Sequence, residues 1–307
     1  MRAVRVVVVA GSMLAAAALK AQPVGEGPLV LRLPNSARYL GMGNAALAST
    51  DGDAMLYNPG MIAQSRGMAL SMQRYGSNAT AGSMGTTTAA GSYVVGIAAQ
   101  FLTYNAAAGA NYAEVVEPGG THLSDSGTVA SSSTAFTLGV ARTIKGLRLG
   151  ASVKYAEDRL GASHDGTVAF DIGVNRPMFG GTAAFVVQNL GVGPRIDSIM
   201  GTLPRRVGLG YGRYQAVGGH WDAGAQFALT LEGDLFVRPA GGAEIAYVPV
   251  DGVAITFRSG LRLPREPDES MITAGFGVSV DRVLIDYAME PMKGGRPLSH
   301  RIGLRVR

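Results

Sequence analysis

The residues best able to do acid–base or nucleophilic chemistry in this sequence are four histidines and scattered carboxylates. The 307 residues include no cysteine, so thiol catalysis, disulfides and zinc–thiolate sites are excluded. A catalytic triad requires a nucleophile beside a base that an acid holds in place. The histidines are far apart, and no two have metal-ligand spacing: His122, His164, His220 and His300. We therefore predict no catalytic residue, no metal site and no enzyme activity.

Three short motifs look chemical but lack the surroundings that such chemistry needs. His122-Leu123-Ser124-Asp125 lies in a long Gly- and Ser-rich stretch, which accounts for it without a triad. Gly41-x-Gly43-x-x-Ala46 imitates a dinucleotide fingerprint, but no buried strand precedes it and no βαβ unit surrounds it. Asp51-Gly52-Asp53 lacks the later Gly and Glu of a calcium loop and is predicted to be a helix-flanking turn. No cofactor is predicted.

The N-terminal residues 1–21 have the pattern of a secretory signal peptide. Arg2 and Arg5 precede an uncharged, mostly apolar run over 6–19, and Ala21 is small enough for the cleavage position. The run is too short to span a bilayer as a helix, which needs about 20 residues. Removing the three basic residues of this segment lowers the net charge from +5 to +2. With no basic stripe, nucleic acid is not a predicted partner.

The mature chain alternates apolar and small or polar residues, as strands with two unlike faces do. Between 147 and 157 the odd positions are mostly Leu, Val and Tyr, and the even positions are mostly Arg, Gly, Ser and Lys. The mean hydropathy of +0.18 and 44 glycines suit strands joined by tight turns. We predict strands over fourteen segments: 67–75, 80–89, 92–104, 132–144, 147–160, 166–176, 181–190, 205–215, 221–233, 239–248, 252–263, 271–280, 283–290 and 299–307.

The joins between these segments alternate in length. Joins after even strands are tight, such as 145–146 and 281–282, whereas joins after odd strands are mostly longer, such as 105–131 and 191–204. Short turns on one rim and long loops on the other are typical of outer-membrane barrels. A soluble β-sandwich also alternates, but it has no reason to sort its loops. The sequence therefore predicts an all-β, transmembrane antiparallel barrel in a Gram-negative outer membrane.

Residues 36–66 break the alternation and carry a recognisable motif. It comprises Ser36-Ala37-Arg38-x-x-Gly41-Met42-Gly43-x-Ala45, Ala48, Asp51, Asp53-Ala54 and Asn58-Pro59-Gly60. The motif resembles the opening of the PorV/PorQ proteins, outer-membrane barrels related to the FadL-type transporters. The FadL-type opening is similar but looser, with Asn-Pro-Ala where this chain has Asn58-Pro59-Gly60. The resemblance is specific only over 36–66.

The resemblance implies a small helical plug formed by 22–66 inside a FadL-like barrel of about fourteen strands formed by 67–307. The motif residues would fix the plug backbone: Gly41, Gly43, Asp51, Asp53, Asn58 and Pro59. The glycines permit close approach or positive φ, and Asn58-Pro59 suits the start of a short helix. Residues 44–50 suit another helix.

Six larger plug residues have two interpretations. They either pack the plug in place or line an apolar ligand pocket between plug and barrel. The six are Leu40, Met42, Met55, Leu56, Tyr57 and Met61.

Two functions follow from the resemblance, each in contact with outer-membrane lipid. The first is a role in type IX protein secretion or cargo attachment, in which secreted cargo or secretion-system subunits bind the loops 105–131 and 191–204. The alternative is a FadL-like channel that admits hydrophobic small molecules and releases them through a gap in the barrel wall.

Overall fold

A computed structural model describes residues 25–76, 78–116, 127–267, 269–293 and 297–307. The predicted signal peptide and His122 lie outside these ranges. The fold is a closed antiparallel β-barrel of fourteen strands, so the predicted fold class is confirmed. The strands are β1 Gly67–Tyr75, β2 Ala79–Ala90, β3 Tyr93–Ala107, β4 Thr128–Ile144, β5 Leu147–Leu160, β6 Ser163–Met178, β7 Gly181–Gly191, β8 Arg206–Gly218, β9 Trp221–Glu232, β10 Val237–Val250, β11 Val253–Arg262, β12 Ile272–Val280, β13 Val283–Glu290 and β14 Ser299–Val306.

Each strand pairs with the next, and β14 pairs with β1 to close the barrel. The strand register shows how residues at one height are related. From any residue of an even strand, the paired residues lead across the next strand to the following even strand, and the residue two positions further along that strand lies at the same height. Seven such steps return to the starting residue, so the shear equals the strand number. Equal shear and strand number correspond to a strand tilt of about 36°.

The alternation of loop lengths is sharper in the structure than the sequence predicts. Every even strand joins the next by two residues, at 91–92, 145–146, 179–180, 219–220, 251–252 and 281–282. Lys145 and Gly146 both have positive φ, as do Phe179 and Gly180, which is the geometry of type I′ hairpin turns. We call this end of the barrel the short-turn rim and the other end the long-loop rim.

The outward face of the barrel is apolar and the inward face is small or polar. On β5 the exposed residues include Leu149, Val153 and Tyr155, whereas Ser152 and Lys154 are buried in the lumen. The outward positions of the other strands are also rich in exposed Leu, Ile, Val and Phe. Because an apolar belt facing outward is stable only in lipid, this arrangement is that of a membrane barrel.

The long-loop rim is partly covered by two small elements. The helix Tyr112–Val116 follows β3, and a two-stranded hairpin, Arg195–Ile196 with Ile199–Met200, lies in the join 192–205. Tyr112, Ile196 and Leu203 are buried there against the start of the plug. In the described part of the chain, no helix is long and apolar enough to cross a membrane.

Residues 25–66 fill the lumen as four short helical turns and connecting loops. The turns are Leu29–Arg32, Ala37–Leu40, Ala54–Leu56 and Pro59–Ala63. The helix predicted at 44–50 is wrong, because Gly43 and Asn44 both have positive φ and end the helical turn that precedes them. Tyr214 of β8 faces the lumen, and the guanidinium carbon of Arg38 lies 5.0 Å from the centre of its ring.

The apolar belt predicts how depth in the bilayer sets the cost of an added charge. We expect Leu138→Arg, near mid-height on the outward face of β4, to lower the free energy of unfolding by about 2–4 kcal/mol. Ile144→Arg lies on the same strand and face but at the short-turn rim, so its cost should be about 0–1 kcal/mol. Urea unfolding in lipid vesicles measures both, and equal costs would contradict the depth that we assign to Leu138.

Candidate functional site

The Gly41-Met42-Gly43 segment packs backbone to backbone against glycines of the barrel wall. A Cβ on Gly41 would lie 3.2 Å from the Cα of Gly275, and a Cβ on Gly43 would lie 2.6 Å from the carbonyl oxygen of Leu261. Gly260, on β11, has no room for a side chain because the backbone of Met42 and Gly43 occupies that space. The motif that imitates a nucleotide fingerprint is therefore a contact in which glycines on both partners allow close approach.

A second contact of the same kind holds Asn58-Pro59-Gly60. The Asn58 side chain accepts a hydrogen bond from the Gly60 amide at 2.9 Å and donates one to the Leu47 carbonyl at 3.1 Å. It thereby caps the turn Pro59–Ala63 and fixes the loop before it. Gly150 and Gly173, on β5 and β6, leave the space that this turn occupies. The plug thus docks on opposite walls of the lumen through paired glycine surfaces.

On the same side of the lumen as the Gly41-Met42-Gly43 contact, six buried charges form a closed ring of ion pairs, which we call the ion-pair ring. Basic and acidic side chains alternate round it, in the order Arg38, Asp51, Arg305, Asp286, Arg258 and Glu244. Successive nitrogen–oxygen distances, starting from the first pair, are 3.0, 2.7, 2.6, 2.7, 2.8 and 2.5 Å. No side chain in the ring is more than 11% exposed. Three positive and three negative charges make the ring neutral.

The ion-pair ring joins the plug to the barrel. Arg38 and Asp51 belong to the plug, and the other four residues project inward from β10, β11, β13 and β14. Burial alone would raise the pKa of Asp51, but the guanidinium groups of Arg305 and Arg38 hold that pKa well below its usual range. Asp51 is therefore ionised whenever the plug is docked.

Asp53 lies beside the ion-pair ring but outside it. One oxygen of its buried carboxyl group has no hydrogen-bond partner. Burial and the neighbouring Asp51 carboxylate raise the pKa of Asp53 to about 7, although Arg305 and Arg301 oppose the shift. The two acids of the Asp51-Gly52-Asp53 turn therefore differ, since one is a fixed anion and the other holds a proton at mildly acidic pH.

The six larger plug residues are buried. Their exposed fractions run from 0% to 6%, in the set Leu40, Met42, Met55, Leu56, Tyr57 and Met61. Leu40 packs on β13, Met55 and Leu56 pack on β3, and Tyr57 packs edge-on against Tyr39 with 5.9 Å between ring centres. None of the six lines the large cavity described below, although Tyr57 also borders a cleft of about 40 Å³.

A further buried ion pair lies in the wall where β7 bulges. Lys154 Nζ is 2.7 Å from Asp171 Oδ2 and donates to Asn189 Oδ1 at 2.9 Å. Asn189 has a φ of +58°, and the register of β6 and β7 shifts beside it. Pairing of β7 with β8 ends at Gln188 and Arg206, so the last residues of β7 leave the β8 edge. The two lumen charges therefore compensate each other inside the wall.

A cavity of about 410 Å³ opens at the long-loop rim above the plug. One side is mainly apolar and contains Leu29, Leu33, Tyr75, Leu102 and Tyr104. The other side carries arginines paired with glutamates, namely Arg32 with Glu266, Arg238 with Glu269, Arg262 with Glu290 and Arg265 with Glu232. Since most of these charges are compensated, the cavity offers an apolar surface beside a polar, nearly neutral one.

The sequence motif contained Arg38 and Asp51 but gave no sign of their partners or of the cavity. The sequence does hold one indication of such a partner, because a buried Arg in a segment that fills a lumen needs an inward-facing acid on some strand.

The described histidines lie apart: His164 is in β6, His220 is in a turn, and His300 bonds Tyr287 on the outward face. Among the described residues, no group of three or more metal-binding side chains occurs.

Loss of one charge from the ion-pair ring should loosen the plug. We expect Asp51→Asn to lower the free energy of unfolding by about 3–5 kcal/mol, because three buried arginines would then face two acids. The control Arg159→Gln removes a pair with Glu157 in which the Arg159 side chain is 54% exposed, and should cost under about 1 kcal/mol. Urea unfolding of both variants decides, and a stability loss for Asp51→Asn no larger than the control would contradict the role of the ring.

The raised pKa of Asp53 predicts a pH dependence. The folded protein keeps this proton up to about pH 7, whereas an unfolded aspartate loses it near 3.8. The folded state therefore binds more protons in that window, and this group makes stability fall as pH rises through it. We expect Asp53→Asn to flatten that slope and to be more stable than the wild type above about pH 7. Urea midpoints across this pH range test the expectation, and a variant with an unchanged slope would contradict it.

Of the comparisons with known proteins, only the one with solved structures finds matches. No family model matches the chain, and no curated protein matches it. Among solved structures, the toluene transporter TodX of P. putida is similar with a TM-score of 0.55, 11% identity, and coverage of 89% of this chain and 98% of that one. A Pseudomonas aeruginosa FadL homologue gives 0.54 at 10% identity, covering 92% and 98%. The Ralstonia pickettii toluene transporter TbuX gives 0.51 at 11% identity, covering 93% and 99%.

At these identities the likeness shows the fold alone, which is that of FadL-like barrels of the Gram-negative outer membrane. Two of these structures are named as toluene transporters and the third as a FadL homologue. The PorV/PorQ assignment gains no support from these comparisons. The chain has the fourteen-strand, FadL-like barrel fold.

Proposed function

We propose that this chain is an outer-membrane channel for small hydrophobic molecules. The observation that carries the proposal is the cavity at the long-loop rim, whose volume of about 410 Å³ falls in the usual range for small-molecule sites. Its apolar side suits an uncharged hydrocarbon, and its paired charges form a polar mouth without a strong net field. The fold likeness to toluene transporters supports the same class of ligand.

Passage beyond the cavity requires the plug to move, because the segment below it fills the lumen. The plug docks through the glycine contacts and is tied to the wall through the ion-pair ring. A small ligand that binds better to a loosened plug would shift the population towards that state. We place the exit into the membrane at the β7 bulge, where Asn189 leaves the β8 edge.

The secretion role predicted from the PorV/PorQ motif is the second candidate. It rests on the resemblance over 36–66, which the looser FadL-type opening shares in part. The join 192–205 and the helix Tyr112–Val116 would be its protein-binding surfaces at the long-loop rim.

A disulfide lock of the plug tests the channel proposal, since the native chain has no cysteine to interfere. A Cβ built on Gly303 of β14 would lie 3.1 Å from the Ala37 Cβ, so Ala37→Cys with Gly303→Cys needs only a small shift to reach the usual ~3.8 Å. We expect oxidised cells to take up radiolabelled toluene at the rate of cells without the protein, and dithiothreitol to restore uptake.

Ala37→Cys alone is the control and should transport under both conditions. Toluene uptake by the locked protein at the wild-type rate would contradict passage through a moving plug. Wild-type cells that take up no toluene, but from which a secreted protein co-purifies with the barrel, would favour the secretion role.

A further inference from the structure

Three exposed arginines stand on the outward face of neighbouring even strands near the short-turn rim. Arg142 lies on β4, Arg176 on β6 and Arg213 on β8. Arg142 continues the outward series of Leu138 and Val140, and the other two also follow outward positions of their strands. We call these three residues the arginine row.

The strand register places the arginine row at one height. Arg142 pairs with Leu149 of β5, which pairs with Val174 of β6, two residues before Arg176. In the same way, Arg176 pairs with Ala183 of β7, which pairs with Tyr211 of β8, two residues before Arg213. This is the constant-height step of the barrel, so successive arginines are about 12 Å apart, from strand spacings of ~4.8 Å and rises of ~3.3 Å. The positions at this height are Thr88, Arg142, Arg176, Arg213, Ile245, Val278 and Val306.

From β2 to β8 the arc of the rim that carries the row has no negative charge, and Asp222 on β9 lies just beyond it. The segments 88–96, 139–151, 173–184 and 210–219 contain no Asp or Glu, and the turn between β4 and β5 adds Lys145. In the described ranges none of the three arginines has an ion-pair partner. Arg142 is held over the Tyr93 ring at 5.0 Å, so its guanidinium stays on the outer surface.

The height of the row indicates what it meets. On the opposite arc, Ile245 and Val278 occupy the same height and are exposed to the outside, so this level borders the apolar part of the membrane. Next to the row, Phe179 is 82% exposed at φ +51° in the turn between β6 and β7, a position that a bulky residue rarely adopts. The arginines of the row and the exposed Phe179 side chain thus lie together near the short-turn rim. Cationic and aromatic side chains in this position are typical of the headgroup region of a lipid leaflet.

We propose that the arginine row is a binding site for anionic glycerophospholipid, with the lipid phosphates held by the guanidinium groups on one third of the barrel circumference. Guanidinium groups bind phosphate oxygens through paired, charge-assisted hydrogen bonds. A soluble acidic partner fits less well, because the side chains point sideways into the membrane edge and not off the end of the barrel. This site is separate from the cavity, and it does not depend on the channel proposal.

Native mass spectrometry of the full mature chain in neutral detergent tests the site, with phosphatidylglycerol and phosphatidylcholine as probes. We expect phosphatidylglycerol to bind at least about tenfold more tightly, and Arg142→Gln with Arg176→Gln and Arg213→Gln to abolish that preference. The matched control Arg159→Gln with Arg195→Gln and Lys293→Gln removes the same charge at the long-loop rim and should keep it.

Arg176→Gln alone serves as a second variant that preserves the Arg142 contact with Tyr93, and it should weaken phosphatidylglycerol binding by several-fold. Heat-modifiability on a gel verifies that each variant is folded. Equal binding of the two lipids by the wild type, or loss of the preference in the control variant as large as in the row variant, would overturn the proposal. Retention of the preference by the row variant would overturn it too.

Discussion

The ion-pair ring is the interaction on which the arrangement of the lumen depends. A chain segment that fills a barrel lumen must find partners for its polar groups within the lumen. The Arg38 side chain is buried there and is shielded from bulk solvent. Closing six charges into a neutral ring compensates each of them twice, which a single buried pair does not. Because four of the six come from β10, β11, β13 and β14, the ring also fixes how the plug is rotated relative to the wall.

The glycines make that compensation possible. Ion pairs of 2.5 to 3.0 Å form only if the plug backbone comes close to the wall, and paired glycines at Gly43 with Gly260 and at Gly60 with Gly173 permit this approach. These contacts set the distance between the plug backbone and the wall, while buried apolar side chains such as Leu40, Met55 and Leu56 fill the space between them. The ion-pair ring then gives the plug a specific resting position.

Sequence patterns predicted the barrel well because period-two alternation and two-residue turns are local. The predicted and observed strands differ by at most a few residues at their ends, and most of the tight turns, such as Lys145-Gly146, contain a glycine that marks them in the sequence. The plug was harder. Its glycine motif is evident in the sequence, but the helix predicted at 44–50 is absent from the structure. The small residues there favour a helix, yet Gly43 and Asn44, both with positive φ, turn the backbone out of a helical path. Arg38 and Glu244 are 206 residues apart and Asp51 and Arg305 are 254 apart, so no local pattern links them.

The coupling between plug and wall through the ion-pair ring is tested most directly by a double-mutant cycle between Arg38 on the plug and Glu244 on β10. The variants are Arg38→Met, Glu244→Gln and the pair together, each unfolded by urea in lipid vesicles. Residues in one buried network are coupled by about 0.5–3 kcal/mol, so we expect the double variant to lose clearly less stability than the two single losses added. Strictly additive losses would mean that the plug and the wall carry their charges independently, and would contradict the ring as the link between them.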